Sequence, residues 1–182
     1  HAIHSALLMT YLCARSGDRL GFYSFGAHPG AFYPARGGLA AAKNVMHLAG
    51  ELDYGELETN YAWSLASLTR DLKRRSLVVV FTDFVDTATA DVMVEHLHRM
   101  SRRHLVIFVA FTDPLLTEAA GAFPKRMESI HRALVADNML HERGIVFRKL
   151  TRMGVHCIDA SPAQVSLRLI NKYLEIKRRE MI

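Results

Sequence analysis

Two stretches, Ser76–Thr82 (SLVVVFT) and Leu105–Phe111 (LVIFVAF), are almost uninterruptedly apolar and rich in β-branched residues. A strand that faces water on one side alternates polar and apolar residues. One that is apolar throughout needs cover on both faces, as in a parallel sheet flanked by helices. Helical periodicity surrounds both runs. Tyr61–Lys73 precedes the first with Ala62, Leu65, Ala66, Leu68 and Leu72 on its inward face, and Thr89–Met100 joins the two on Met93, Leu97 and Met100. Residues 125–153 read as one long helix or a broken pair. Val155–Ile158 is a third strand, and Ser161-Pro162 opens a last helix on Val165, Leu169, Tyr173 and Ile176. This alternation predicts an α/β sandwich with a mostly parallel sheet and helices on both sides.

Upstream, Ile3–Arg15 carries Ile3, Leu7, Leu8, Tyr11 and Leu12 at helical spacing and stops at Ser16-Gly17. Asp18–Phe25 reads as a strand apolar on both faces. A turn at Gly26–Gly30 leads to a short strand, Ala31–Pro34, whose proline suits a sheet edge. Leu39–Leu52 is helical with Leu39, Val45, Met46 and Leu48 to bury, and Asp53–Asn60 is a polar loop. No linker, repeat or low-complexity segment interrupts the 182 residues, so a single domain over 1–182 is expected.

The formal charge is +5, which raises nucleic acid as a partner, but its placement argues otherwise. Lys73, Arg74 and Arg75, then Arg102, Arg103 and His104, then Arg148, Lys149 and Arg152 gather just before the strands. These are helix C-termini, where cations offset the helix dipole. The opposite ends are acidic: the strands run into Asp83 with Asp86, Asp113, and Asp159. Ligands of open parallel sheets bind outside the carboxyl ends of the strands, so carboxylates there favour a cation over a phosphate. Asp113 precedes proline and reads as a helix cap, and Asp159 as turn chemistry. Asp83 stands several residues before the next helix, which leaves it for a ligand or partner. Thr59 either caps the Tyr61 helix or offers an exposed hydroxyl.

The phosphate-cradling glycine patterns and the Gly-x-Ser-x-Gly elbow are absent. The ten histidines lack metal-ligand spacing and read as structural or solvated. Cys13 and Cys157 make no disulfide framework and suit a reducing compartment; Trp63 and the phenylalanines read as core. No apolar run reaches the ~20 residues of a membrane span, so a soluble piece without membrane insertion is expected.

In combination, SGDRLGFYSF followed by a short hairpin strand, ETNYAWSLASL, RRSLVVVFTDFVD, RRHLVIFVAFTDP and SPAQVSLRLINKYLEIK span essentially the whole chain. Together they resemble the von Willebrand factor A-like domain of a large bacterial family of unknown function. Its members are often encoded beside MoxR-type AAA+ ATPases. The resemblance implies a Rossmann-like three-layer sandwich with a metal-ion-dependent adhesion site, in which Thr59 matches the threonine ligand and Asp83 the third-loop aspartate. The Asp-x-Ser-x-Ser loop and the central first strand of that pattern are expected upstream of His1. Mg²⁺ or another divalent cation would then be held weakly here, mostly by water, or not at all.

Without that strand, the strands flanking its place carry unpaired backbone groups, at ~1–3 kcal/mol for each buried group left unsatisfied. Upstream residues, mutual closure of the flanking strands, or a strand-mediated homodimer would relieve this. The expected function is a non-catalytic protein–protein interaction domain with Asp83, Asp86, Thr59 and Asn60 on the partner-binding edge. A MoxR-type ATPase is the partner implied by the resemblance, with the domain cytoplasmic, free or on a membrane-anchored protein. The alternatives are a metal-assisted phosphoryl-transfer or hydrolytic enzyme using Asp83 and Asp86, and a nucleic-acid-binding domain.

Overall fold

Gly17 closes the first helix, α1 (Ala2–Arg15), with a backbone φ of +76° that suits a residue without a Cβ. The Asp18 N–H reaches back to the Cys13 carbonyl at 3.0 Å, satisfying a carbonyl the helix leaves open. The chain then runs through β1 (Leu20–Phe25), β2 (Pro29–Arg36), α2 (Leu39–Gly50), α3 (Tyr61–Asp71), β3 (Leu77–Phe81), α4 (Thr87–Ser101) and β4 (Leu105–Phe111). It finishes with α5 (Pro114–Gly121), α6 (Met127–Arg152), β5 (His156–Ala160) and α7 (Val165–Arg178). The computed structural model describes residues 1–53, 55, 57–82, 87–121 and 127–179. They fall into two compact units, His1–Lys73 and Arg74–Ile182.

In the first unit β1 and β2 form an antiparallel ladder, Leu20 opposite Arg36, Tyr23 opposite Phe32 and Phe25 opposite Pro29. The register shifts between Leu20 and Phe22 and again between Tyr23 and Phe25, so β2 carries an extra residue at each. These shifts let β2 extend from Pro29 to Arg36, well beyond the four residues expected from Ala31–Pro34. The strand expected at the edge of a mostly parallel sheet therefore makes, with β1, a two-stranded sheet of its own.

The core of this unit departs from the helical stripes expected from sequence. On α2 it is Ala41, Ala42, Val45 and Ala49 that are buried, while Leu39 and Met46 face solvent. Small side chains let α2 approach closely, and Ala41, Ala42 and Val45 pack with Leu20, Cys13, Ala14, Phe22 and Tyr33. On α1, Ser5, Met9 and Thr10 are buried and Tyr11 is exposed; the Thr10 hydroxyl is satisfied by the Ala6 carbonyl at 2.8 Å. On α3, Tyr61, Ser64, Leu65 and Leu68 form the buried face, which turns Trp63 outward. Trp63 is surface rather than core, edge-on to His28 with ring centres 5.4 Å apart.

The second unit is built on the parallel sheet β3-β4-β5. Its ladders run Leu77–Phe81 against Leu105–Val109, and Ile107–Phe111 against His156–Ala160. β4 is in the middle, with every side chain from Val106 to Ala110 fully buried, as its uninterrupted apolar sequence requires. α4 contributes Ala90, Met93, Val94, Leu97 and Met100 to this core, α6 contributes Val146 and Leu150, and α7 contributes Val165, Leu169, Tyr173 and Ile176. Phe108 meets Phe147 of α6 edge-on, ring centres 5.6 Å apart. Residues 127–152 form one continuous helix. α7 begins later than Ser161-Pro162 suggested: the Ser161 carbonyl accepts from Gln164 and Val165, and no side chain caps the helix. The fold class is thus mixed α/β, compatible with a Rossmann-like sandwich. No helix of the described residues is long and apolar enough to cross a membrane.

Candidate functional site at the carboxyl edge of the parallel sheet

Parallel pairing brings the ends of β4 and β5 to one edge. The Thr112 N–H extends the ladder to the Ala160 carbonyl at 3.0 Å, and the Thr82 N–H extends the other to the Val109 carbonyl at 3.1 Å. Asp159 is the hub of this edge. Its Oδ1 accepts from the Thr112 hydroxyl at 2.6 Å and from Arg143 Nη2 at 2.8 Å. Arg143 reaches it from α6 with a side chain only 11% exposed, its guanidinium 5.3 Å from the centre of the Phe147 ring. Arg168 of α7 donates to the Asp159 carbonyl at 2.9 Å and to Gln164 Oε1 at 3.2 Å. Asp159 therefore does more than turn chemistry: it ties β5 to β4, α6 and α7. Because Arg143 balances its charge, it adds no net negative potential to the edge.

Asp113 is the helix cap expected: its Oδ1 accepts the Leu115 N–H at 2.9 Å. The helix it caps, α5, has no counterpart in the charge pattern. It is apolar around most of its circumference (PLLTEAAG), yet none of its residues is buried. It packs against the first half of α6, and an open groove of about 950 Å³ runs between them, lined by Leu115, Leu116, Ala119, Met127, Ile130 and Leu134. Leu115 is 73% exposed and Met127 81%. Asp113 and Arg132 also line the groove, on opposite helices. This surface can bury another apolar surface.

The remaining site residues divide between the two units. In the first, Asn60 caps α3, its Oδ1 accepting the Trp63 N–H at 3.0 Å, while the Asn60 N–H donates to the Gly26 carbonyl at 2.9 Å. The cap is therefore Asn60 and not Thr59. The half-buried Thr59 has no hydrogen bond among the described residues. Asp83 and Asp86 lie outside the described residues. Of the donors the resemblance implies for a divalent ion, residues 1–182 contribute Thr59 and Asp83, one hydroxyl and one carboxylate of the roughly six oxygens Mg²⁺ takes. Among the described residues no group of three His, Cys, Asp or Glu side chains could hold a metal.

The shifted titrations lie elsewhere. At the amino-terminal end of β4, burial and then neighbouring Arg103 push His104 below the ordinary histidine value, and its buried Nδ1 has no hydrogen-bond partner among the described residues. Burial, then Lys172, does the same to His156 at the start of β5.

A family model described as "Protein of unknown function DUF58" matches residues 1–122, from α1 through β4 and α5. The chain belongs to that family. No curated protein and no solved structure matches it. Membership covers Thr59, Asn60, Asp83, Asp86 and α5, whereas Arg143, Asp159 and Arg168 lie beyond the matched region. Arg143 and Arg168 also escaped sequence reading, since Arg143 is sixteen residues from Asp159 on a helix with no distinctive pattern. The groove did leave a signal: PLLTEAAG and the Met127, Ile130, Leu134 spacing are apolar where one α5–α6 pair cannot bury them.

Proposed function

We propose that this DUF58-family chain is a non-catalytic protein-docking domain that binds its partner at the carboxyl edge of the parallel sheet. One observation carries the reading: an apolar helix, α5, starts directly at that edge and has no buried residue. Exposed apolar surface of this kind marks interaction sites rather than sites for small ions. The described polar groups of the edge support the same reading, because Asp113 is engaged in capping and Asp159 in the Thr112–Arg143 cluster. The docking face on this proposal comprises the 83–86 segment, with Asp83 and Asp86, and the α5–α6 pair. Thr59 and Asn60, in the first unit, are proposed as separate contacts for the partner, with any divalent ion completed by the partner's own ligands. By resemblance to the von Willebrand factor A-like family, the partner is a MoxR-type ATPase.

The test is binding of a purified MoxR-type ATPase to wild type, Asp83→Ala and Leu115→Glu. The expected result is binding weakened about tenfold or more in both variants, the loss typical of an interface anchor, with melting temperatures near wild type. Unchanged binding in both variants defeats the proposal.

A further inference from the structure

We infer that, before the partner binds, the exposed apolar walls of α5 and α6 pack against the same walls of a second copy of this chain, the two related by a two-fold axis, in a resting dimer that the partner displaces. The inference rests on the reading of this surface as a docking face and names what covers it when the partner is absent.

Three observations select that occupant. The groove is lined mainly by apolar side chains, with Leu115 on α5 and Met127 and Leu134 on α6 highly exposed, so it needs an apolar counterpart of similar extent, which a second copy supplies. Its charges are of both signs on opposite walls: Asp113 lies where α5 begins, and Arg132 lies on α6. Arg132 is exposed and makes no ion pair among the described residues, and Asp113 is exposed with one oxygen on the Leu115 N–H. A two-fold contact repeats each pairing, so Arg132 of each copy meets Asp113 of the other at once. A surface carrying its own acid and its own base on facing walls is complementary to itself. The same mixture argues against an anionic lipid surface, which selects amphipathic helices with a cationic polar face; here Glu118 and Asp113 accompany Arg132.

The experiment is sedimentation equilibrium of the whole chain for wild type, Leu134→Glu, Arg132→Glu and the double variant Asp113→Lys/Arg132→Glu. Leu134 and Arg132 are exposed, so both single variants keep their fold. Wild type is expected at twice the 20.5 kDa of one chain and Leu134→Glu at the single-chain mass. Arg132→Glu should self-associate about tenfold more weakly, and the double variant should recover to within about threefold of wild type, as paired charges do when both are exchanged. A wild-type chain that stays at the single-chain mass near millimolar concentration overturns the inference. So does a dimer unaffected by Leu134→Glu, which would form elsewhere, for instance along a strand edge. ATPase binding measured on the same variants separates the two proposals. A monomeric wild type whose ATPase binding is weakened by Leu134→Glu overturns the second copy and leaves the docking face standing. A monomeric wild type whose ATPase binding ignores both Leu134→Glu and Asp83→Ala overturns both.

Discussion

Alanine at Leu134 and alanine at Leu150 are the same chemical deletion on the same helix, and the structure assigns them very different costs. Leu150 is fully buried in the core beneath β5, whereas Leu134 is 58% exposed on the wall of the groove. Deleting a buried leucine loses the transfer free energy of its atoms and leaves a cavity, about 3 kcal/mol in the middle of the usual range. For a chain of this size that lowers the melting temperature by roughly 6–12 °C. Leu134 has less than half its surface to lose and leaves no cavity, so its cost within one chain is under about 1 kcal/mol, partly offset by the better helix propensity of alanine. Its melting temperature should stay within about 3 °C of wild type. Association should show the reverse: the exposed part of Leu134 is worth about 1 kcal/mol on docking, several-fold in affinity, while a folded Leu150→Ala chain keeps its face. The assay is thermal unfolding followed by circular dichroism at about micromolar concentration, paired with sedimentation. A Leu134→Ala chain that melts as low as Leu150→Ala when dilute would mean that the same chain already covers the groove, and the docking account would fail.

Lowering the pH should destabilise the chain. His104 and His156 have folded pKa values below their unfolded ones, chiefly through burial, so their stabilising contribution is complete above the unfolded value near ~6.5 and is lost as pH falls through the folded value. Urea midpoints from pH 7.5 to 5.5 should fall for wild type and fall less for His104→Leu; equal slopes refute this. Gly21→Ala should cost about 1–3 kcal/mol, because its Cβ would lie 2.8 Å from the Tyr33 carbonyl oxygen and 3.1 Å from the Ala35 nitrogen of the paired strand. Gly26→Ala, which meets nothing, should cost less, and equal urea midpoints would contradict the bulged register. Arg143→Gln should cost about 1–2 kcal/mol, since a half-exposed Asp159 keeps Thr112 and water as partners. A loss above about 4 kcal/mol would show that Arg143 carries more of the fold than the edge.

Legibility from sequence tracked how strictly each residue's environment constrained its chemistry. A strand in the middle of a parallel sheet tolerates no polar side chain, so Leu105–Phe111 announced itself, and Asp113-Pro114 declared a cap because few other geometries suit that pair. The helices of the first unit were less readable. α2 uses Ala41, Ala42 and Ala49 for close approach, and alanine carries little hydrophobic signal, so the larger Leu39 and Met46 pointed to the wrong face. Pro34 argued for a strand end, but the register shifts accommodate it inside β2. At the candidate site, Asp159 was visible as a strand-end carboxylate, but its partners Arg143 and Arg168 come from two helices and only the fold brings them together. The apolar groove is a surplus of hydrophobic residues, visible as such only once the core shows which of them it leaves out.

Hydrogen–deuterium exchange of the chain, dilute and alone against saturated with a MoxR-type ATPase, tests the carboxyl-edge docking face most directly. The account predicts slowed exchange in residues 83–86, in α5 and in the first half of α6, with the amino-terminal ends of β3, β4 and β5 unchanged. Slowing confined to those amino-terminal ends, or no slowing at all, would contradict it.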